Sequence, residues 1–164
     1  MKTLLSTLAC LWIFLQPTTA QVPFGEACVG TWTGRMEIFA RGKLRDTVTV
    51  RLTVGKTTEL ESWSWKTEYL SAKQPAVKDY RLRLKDAATG LYLVDERDGT
   101  ELTSYRFGNK LYSVFETEGI VLTSTYELRE NELIFEVTSG KKGSPQSVVN
   151  YSVDHLQRVV LRRN

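Results

Sequence analysis

The sequence predicts an all-β protein: a single up-and-down antiparallel β-barrel of about nine or ten strands. Three observations carry this. Apolar and polar residues alternate with a period of two from Gly30 to the C-terminus. Turn-forming residues separate nearly every pair of runs, and the connections are short. No window carries an apolar stripe at helical spacing; "LSAKQPAVK" allows at most one turn before Pro75. A sheet of so many consecutive hairpins has two bare edges, and closing it on itself removes them. A two-sheet sandwich would need longer crossovers than these turns supply.

In "GTWTGRMEIF", Trp32, Met36 and Ile38 fall on one face and Thr31, Thr33, Arg35 and Glu37 on the other. In "LRDTVTVRLTV", Leu44, Val48, Val50, Leu52 and Val54 oppose Arg45, Thr47, Thr49, Arg51 and Thr53. The next run sets Trp63, Trp65, Thr67 and Tyr69 on one face, and "YRLRLK" sets Tyr80, Leu82 and Leu84 against Arg81, Arg83 and Lys85. Short strands follow near 91–96, 100–107, 110–117, 120–129 and 132–139, and a stretch over 147–162 is long enough for one bent strand or two short ones. The punctuation is Gly42, Gly55, Gly90, Asp98-Gly99, Gly108-Asn109, Glu118-Gly119 and Glu130-Asn131, with longer connections at 71–76 and 139–145. Prolines stay out of the strand interiors, as ladder hydrogen bonding requires.

The chain has 164 residues, and the first twenty read as an export leader: Lys2, the apolar run Leu4–Leu15, then Pro17-Thr18-Thr19-Ala20 before the expected cut. Residues 21–164 then form one domain, periplasmic or extracellular. The apolar run is too short to span a bilayer, so no integral membrane segment is expected after the leader is removed. A formal net charge of +3, with basic residues spread along the strands, is no nucleic-acid footprint. Cys10 lies in the leader, which leaves Cys28 alone, expected as a half-exposed thiol before the first strand and with no disulfide inside the monomer.

Catalytic chemistry finds little material. His155 is the single histidine, and no nucleophile elbow, zinc helix or phosphate loop is present. No enzyme activity and no metal site are expected. Binding is better supplied. The inward faces carry Trp63, Trp65, Tyr69, Phe115, Tyr126 and Phe135, interleaved with Thr67, Ser104, Ser113 and Ser124. A filled core would favour aliphatics there, because unpaired buried hydroxyls are costly, whereas a ligand site mixes an apolar wall with a few polar groups. The candidate ligand-binding residues are Trp63, Trp65, Tyr69, Arg106, Phe115, Ser124 and Tyr126, for a small hydrophobic or amphipathic molecule. Arg106 joins them if Leu102, Ser104 and Arg106 face inward; the alternative register turns Tyr105 and Phe107 in and Arg106 out.

Gly30-Thr31-Trp32 resembles the Gly-x-Trp signature of the lipocalins and the wider calycin superfamily. The resemblance implies a barrel floored by Trp32 and capped by a basic residue near the C-terminus, for which Arg158 is the match, and a small-molecule-binding role. The chain lacks the second lipocalin motif (Thr-Asp-Tyr), a C-terminal disulfide and a C-terminal helix, so it resembles an outlying, bacterial-type member. Two other readings stand beside this one. A filled barrel would instead serve a structural or protein-interaction role. A nitrobindin-like barrel would bind haem or nitric oxide through a C-terminal histidine, here His155, although the glycine-rich segment expected after the first Trp is replaced by "GRMEIF".

Overall fold

A computed structural model describes residues 21–143 and 150–164. Residues 1–20, where the export leader is expected, and part of the connection after Gly143 lie outside the described residues. A short helix α1 (Phe24–Ala27) precedes ten strands: β1 (Gly30–Ala40), β2 (Lys43–Lys56), β3 (Ser62–Leu70), β4 (Ala76–Asp86), β5 (Leu91–Asp95), β6 (Glu101–Phe107), β7 (Lys110–Thr117), β8 (Ile120–Arg129), β9 (Glu132–Lys142) and β10 (Tyr151–Arg163). They close into a barrel in sequence order, with β10 pairing antiparallel to β1. The sandwich alternative is excluded, and the last stretch is one strand with a register irregularity between Val153 and His155. The loop over 71–75 contains no helical turn; α1, which the alternation reading does not include, supplies the one described α-helix.

The alternation resolves into an inside and an outside. Trp32, Met36, Val50, Leu52, Trp65, Leu82, Tyr92, Leu133, Val159 and Leu161 are buried. Outer positions carry solvated ion pairs, such as Arg81 with Glu59 at 2.6 Å and Arg83 with Asp95 at 3.6 Å, which account for the two arginines of the basic run on β4. Leu44 departs from its expected inward place. The β1–β2 ladder shifts register between Ile38 and Phe39, and Leu44 is exposed beyond that bulge. Non-glycine residues in the left-handed region, such as Arg41, Glu118 and Glu130, mark tight hairpin turns.

The barrel has two unlike ends. Segment 21–29 lies across one of them. The Phe24 amide donates to the Tyr92 hydroxyl at 2.8 Å, the Trp63 indole N–H donates to Glu26 at 3.2 Å, and Lys56 pairs with Glu26 at 2.7 Å. A Cβ on Gly25 would lie 2.3 Å from the Trp63 ring, so only glycine lets the helix seat there. Gly30 then turns the chain into β1 at φ +138°, a conformation open to glycine. Trp32 follows, fully buried, its indole N–H donating to the Cys28 carbonyl at 2.8 Å.

Cys28 is buried completely, contrary to the half-exposed expectation, because α1 folds it under the barrel floor. Desolvation pushes its thiol up to about 12. The cap on Trp32 also differs from the expected one. Arg163, not Arg158, places its guanidinium 4.4 Å from the indole centroid and donates to the carbonyls of Val29 at 3.1 Å and Ala27 at 3.0 Å. The reason is register. Trp32 sits opposite Arg163, so Val159, Leu161 and Arg163 share the inner face, while Arg158 sits opposite Glu37 on the outer face and reaches Glu136 at 3.7 Å.

Candidate functional site

Above the floor the interior opens into a cavity of about 290 Å³. Trp65 marks the boundary. Its ring lies 6.3 Å from Phe24 of the plug on one side and meets Tyr126 edge-on at 5.1 Å on the other; Tyr126 in turn stacks on Phe135 at 4.3 Å. The buried Trp65 indole N–H lies beside the Tyr126 phenol and has no well-aligned acceptor. An aromatic column therefore runs from the plug into the cavity wall, with each pair near the offset or edge geometry that ring quadrupoles favour.

The rest of the lining comes from nearly every strand of the far half. Leu82, Val94, Leu102, Leu111, Leu122 and Val137 supply aliphatic surface; Thr67, Ser104, Ser113 and Ser124 supply hydroxyls; Lys78, Glu96 and Gln157 supply polar groups. Ser113 donates to the Thr103 carbonyl at 2.7 Å. Three phenols share the space, and burial raises all three, with the Glu96 carboxylate adding to the effect at Tyr80. Tyr69, Tyr80 and Tyr126 are thus neutral donors at neutral pH.

Of the residues selected from sequence, the structure brings Trp65, Tyr69, Phe115, Ser124 and Tyr126 together around this cavity. It separates two others. Trp63 belongs to the plug through Glu26 and Gly25. Arg106 faces inward with Leu102 and Ser104, as one of the two registers had it, yet it lies one rung too close to the floor. Its guanidinium sits 5.7 Å from the Phe24 ring and donates to the carbonyls of Val22 at 2.6 Å and Gly108 at 2.7 Å. It pins the plug and does not line the cavity. Lys78, Glu96 and Gln157 were missed. Alternation places Gln157 on the face of Val159, and Glu96 and Lys78 follow the inward Val94 and precede the inward Tyr80; the signal was a polar residue next to an inward run at a strand end.

His155, the candidate haem ligand, lies apart from the other candidate residues. It stands at the β9–β10 end of the barrel, outside the cavity lining, with its side chain 54% exposed and its Nδ1 held by the Asp154 carboxylate at 2.7 Å. The interior above Trp65 holds free volume where the filled-core alternative expects none. Among the described residues no helix is long and apolar enough to cross a membrane.

No family model and no curated protein matches the sequence. Solved structures do. Rv2717c from M. tuberculosis matches at a TM-score of 0.53 and 14% identity, over 87% of this chain and 98% of that one. The shared fold is a closed antiparallel barrel. The fluorescent protein UnaG is a looser match, at a TM-score of 0.47 and 17% identity over 85% of this chain and 98% of that one. A point variant of UnaG gives 0.49 and 16% over 84% and 96%. At these identities the likeness is one of fold alone.

Proposed function

We propose that this protein binds one small, mostly apolar molecule non-covalently in the cavity above Trp65. The observation that carries the reading is the lining itself. A wall of aromatic and aliphatic side chains with hydroxyls set among them suits a guest that is largely apolar and has a few hydrogen-bonding groups. The volume, at the low end for ligand pockets, favours a compact guest or one that leaves its polar end at the mouth beside Lys78 and Glu96. Nothing in the lining resembles a nucleophile paired with a base, so the proposed role is carriage or sequestration without catalysis.

The leader composition supports export to a periplasmic or extracellular space. Gly30, Trp32 and the arginine over the indole, together with the missing Thr-Asp-Tyr motif, support an outlying, bacterial-type lipocalin-like protein. Titration with a panel of fatty acids and retinoids, followed by tryptophan fluorescence, tests the reading. Trp65 lies in the wall, so a guest in the cavity changes its emission. Ser104→Leu and Ser124→Leu, which fill the cavity, are expected to abolish that change. Saturable binding lost in both variants supports the reading; a flat response across the panel contradicts it.

A further inference from the structure

The barrel wall is not laddered equally all round. Strands β5 and β6 pair from Leu91–Tyr105 to Asp95–Glu101, and β7 and β8 pair from Lys110–Glu127 to Thr117–Ile120. Between β6 and β7 the ladder holds only Phe107–Lys110, Arg106–Leu111 and Tyr105–Tyr112, next to the Gly108-Asn109 turn at the plugged end. Beyond Tyr105 and Tyr112, toward the open end, both strands continue without pairing to each other.

The backbone groups along this gap can be assigned. The Thr103 carbonyl points toward β7, because it accepts the Ser113 hydroxyl at 2.7 Å. The Arg106 amide points the other way, to the Gly90 carbonyl at 2.8 Å. By alternation Glu101 and Thr103 on β6 turn their peptide groups into the gap. So do Val114 and Glu116 on β7, which continue the side of Tyr112. A side chain therefore bridges the two strands where a backbone rung would otherwise stand. Inside the gap, Leu102 and Ser104 of β6 and Ser113 and Phe115 of β7 all line the cavity. Outside it, Val114 is an aliphatic lip, 68% exposed.

We infer that the guest enters and leaves through this notch between β6 and β7, with the Ser113–Thr103 hydrogen bond as its latch. The inference rests on the ligand-binding reading above. Widening the notch breaks one side-chain hydrogen bond; widening any fully laddered seam breaks several backbone bonds at once. The notch also opens onto the apolar part of the lining, so a guest passing through it exchanges water for Phe115 and Leu102 without first crossing the polar groups Lys78 and Glu96.

Stopped-flow binding of cis-parinaric acid, a fluorescent fatty acid, tests this. Thr103→Cys with Val114→Cys places thiols on the two lips, outside the lining, where a disulfide would staple the notch shut. The oxidised pair is expected to slow association and dissociation by at least about tenfold relative to the reduced pair, because gating then limits the encounter. Reduction restores the wild-type rates. Ser113→Ala, which removes the latch, is expected to speed both rates by about fivefold, the equivalent of one lost hydrogen bond; this arm does not depend on disulfide formation. Normal binding with unaltered rates in the oxidised pair, or in Ser113→Ala, overturns the notch alone. No binding in any variant overturns the guest and the notch together.

Discussion

The plugged end and the β6–β7 side of this barrel are made from the same alternating strands, yet they differ in what fills the space between them. At the plugged end the large side chains interlock. Trp32 is covered by Arg163 and bonded to Cys28, Trp63 is bonded to Glu26, and Phe24 is bonded to Tyr92 and covered by Arg106. On the β6–β7 side the wall has an unladdered seam and the interior has free volume. The closed sheet is laddered along most of its seams, and one departure from that rule lies beside the cavity. Under the proposed function, the interlocked end is the one the guest does not enter.

The comparison is sharpest in the plug. Trp32→Ala is expected to destabilise the fold by about 3–5 kcal/mol, as large aromatic truncations in a core do, and to lower the urea midpoint with little change in slope. Gly25→Ala forces a methyl into the Trp63 ring and is expected to cost about 1–3 kcal/mol by overpacking. Both should leave affinity for a bound guest near wild type in the folded fraction. A stability within error of wild type for Trp32→Ala would show that the plug is not structural.

Two arginines on one strand provide the next contrast. Arg163→Met removes the cover over Trp32 and leaves the Val29 and Ala27 carbonyls without that donor, with an expected loss of about 1–3 kcal/mol. Arg158→Met removes an exposed ion pair with Glu136 and is expected to change stability by less than about 0.5 kcal/mol. Chemical denaturation of the two variants side by side checks the register; equal losses would contradict it.

Cys28 reports the same burial through pH. Below about pH 9 folded and unfolded chains both hold the thiol proton. Above it the unfolded chain releases the proton, while the folded one retains it to about 12. Stability is therefore expected to fall as pH rises from about 9 toward 12; the buried phenols of Tyr69, Tyr80 and Tyr126 add to the fall above about 10, so Cys28→Ala should remove the onset near pH 9 and leave the later part, as denaturation at a series of pH values would show. A thiol reagent at pH 8 should modify Cys28 only in denaturant.

Much of this architecture was legible in the sequence because a period of two is a strong signal. The strands, the hairpins and the face of Trp65, Thr67 and Tyr69 follow from alternation directly. What alternation does not give is phase between distant strands. Arg158 and Arg163 differ only in which of them faces Trp32, and that is set by the pairing of β1 with β10; reading outward from Val159 and Leu161 would have reached Arg163. Alternation also gives a side but not a height. Trp63 and Arg106 face inward as their patterns say, and they belong to the floor because they lie nearer the plugged end. Helix α1 escaped because four residues carry no periodicity, and its position depends on Gly25 fitting against Trp63, a contact between elements far apart in sequence.

Hydrogen exchange, residue by residue, with and without cis-parinaric acid is the most direct test of the division between a rigid plug and a guest-accepting wall. Slow exchange is expected along β1 and its two neighbours in either state, fast exchange at Val114 and Glu116 in the free protein, and protection of the β6–β7 seam when the fatty acid is added. Protection falling on the plugged end, or a seam already as slow as β1 in the free protein, would contradict that division.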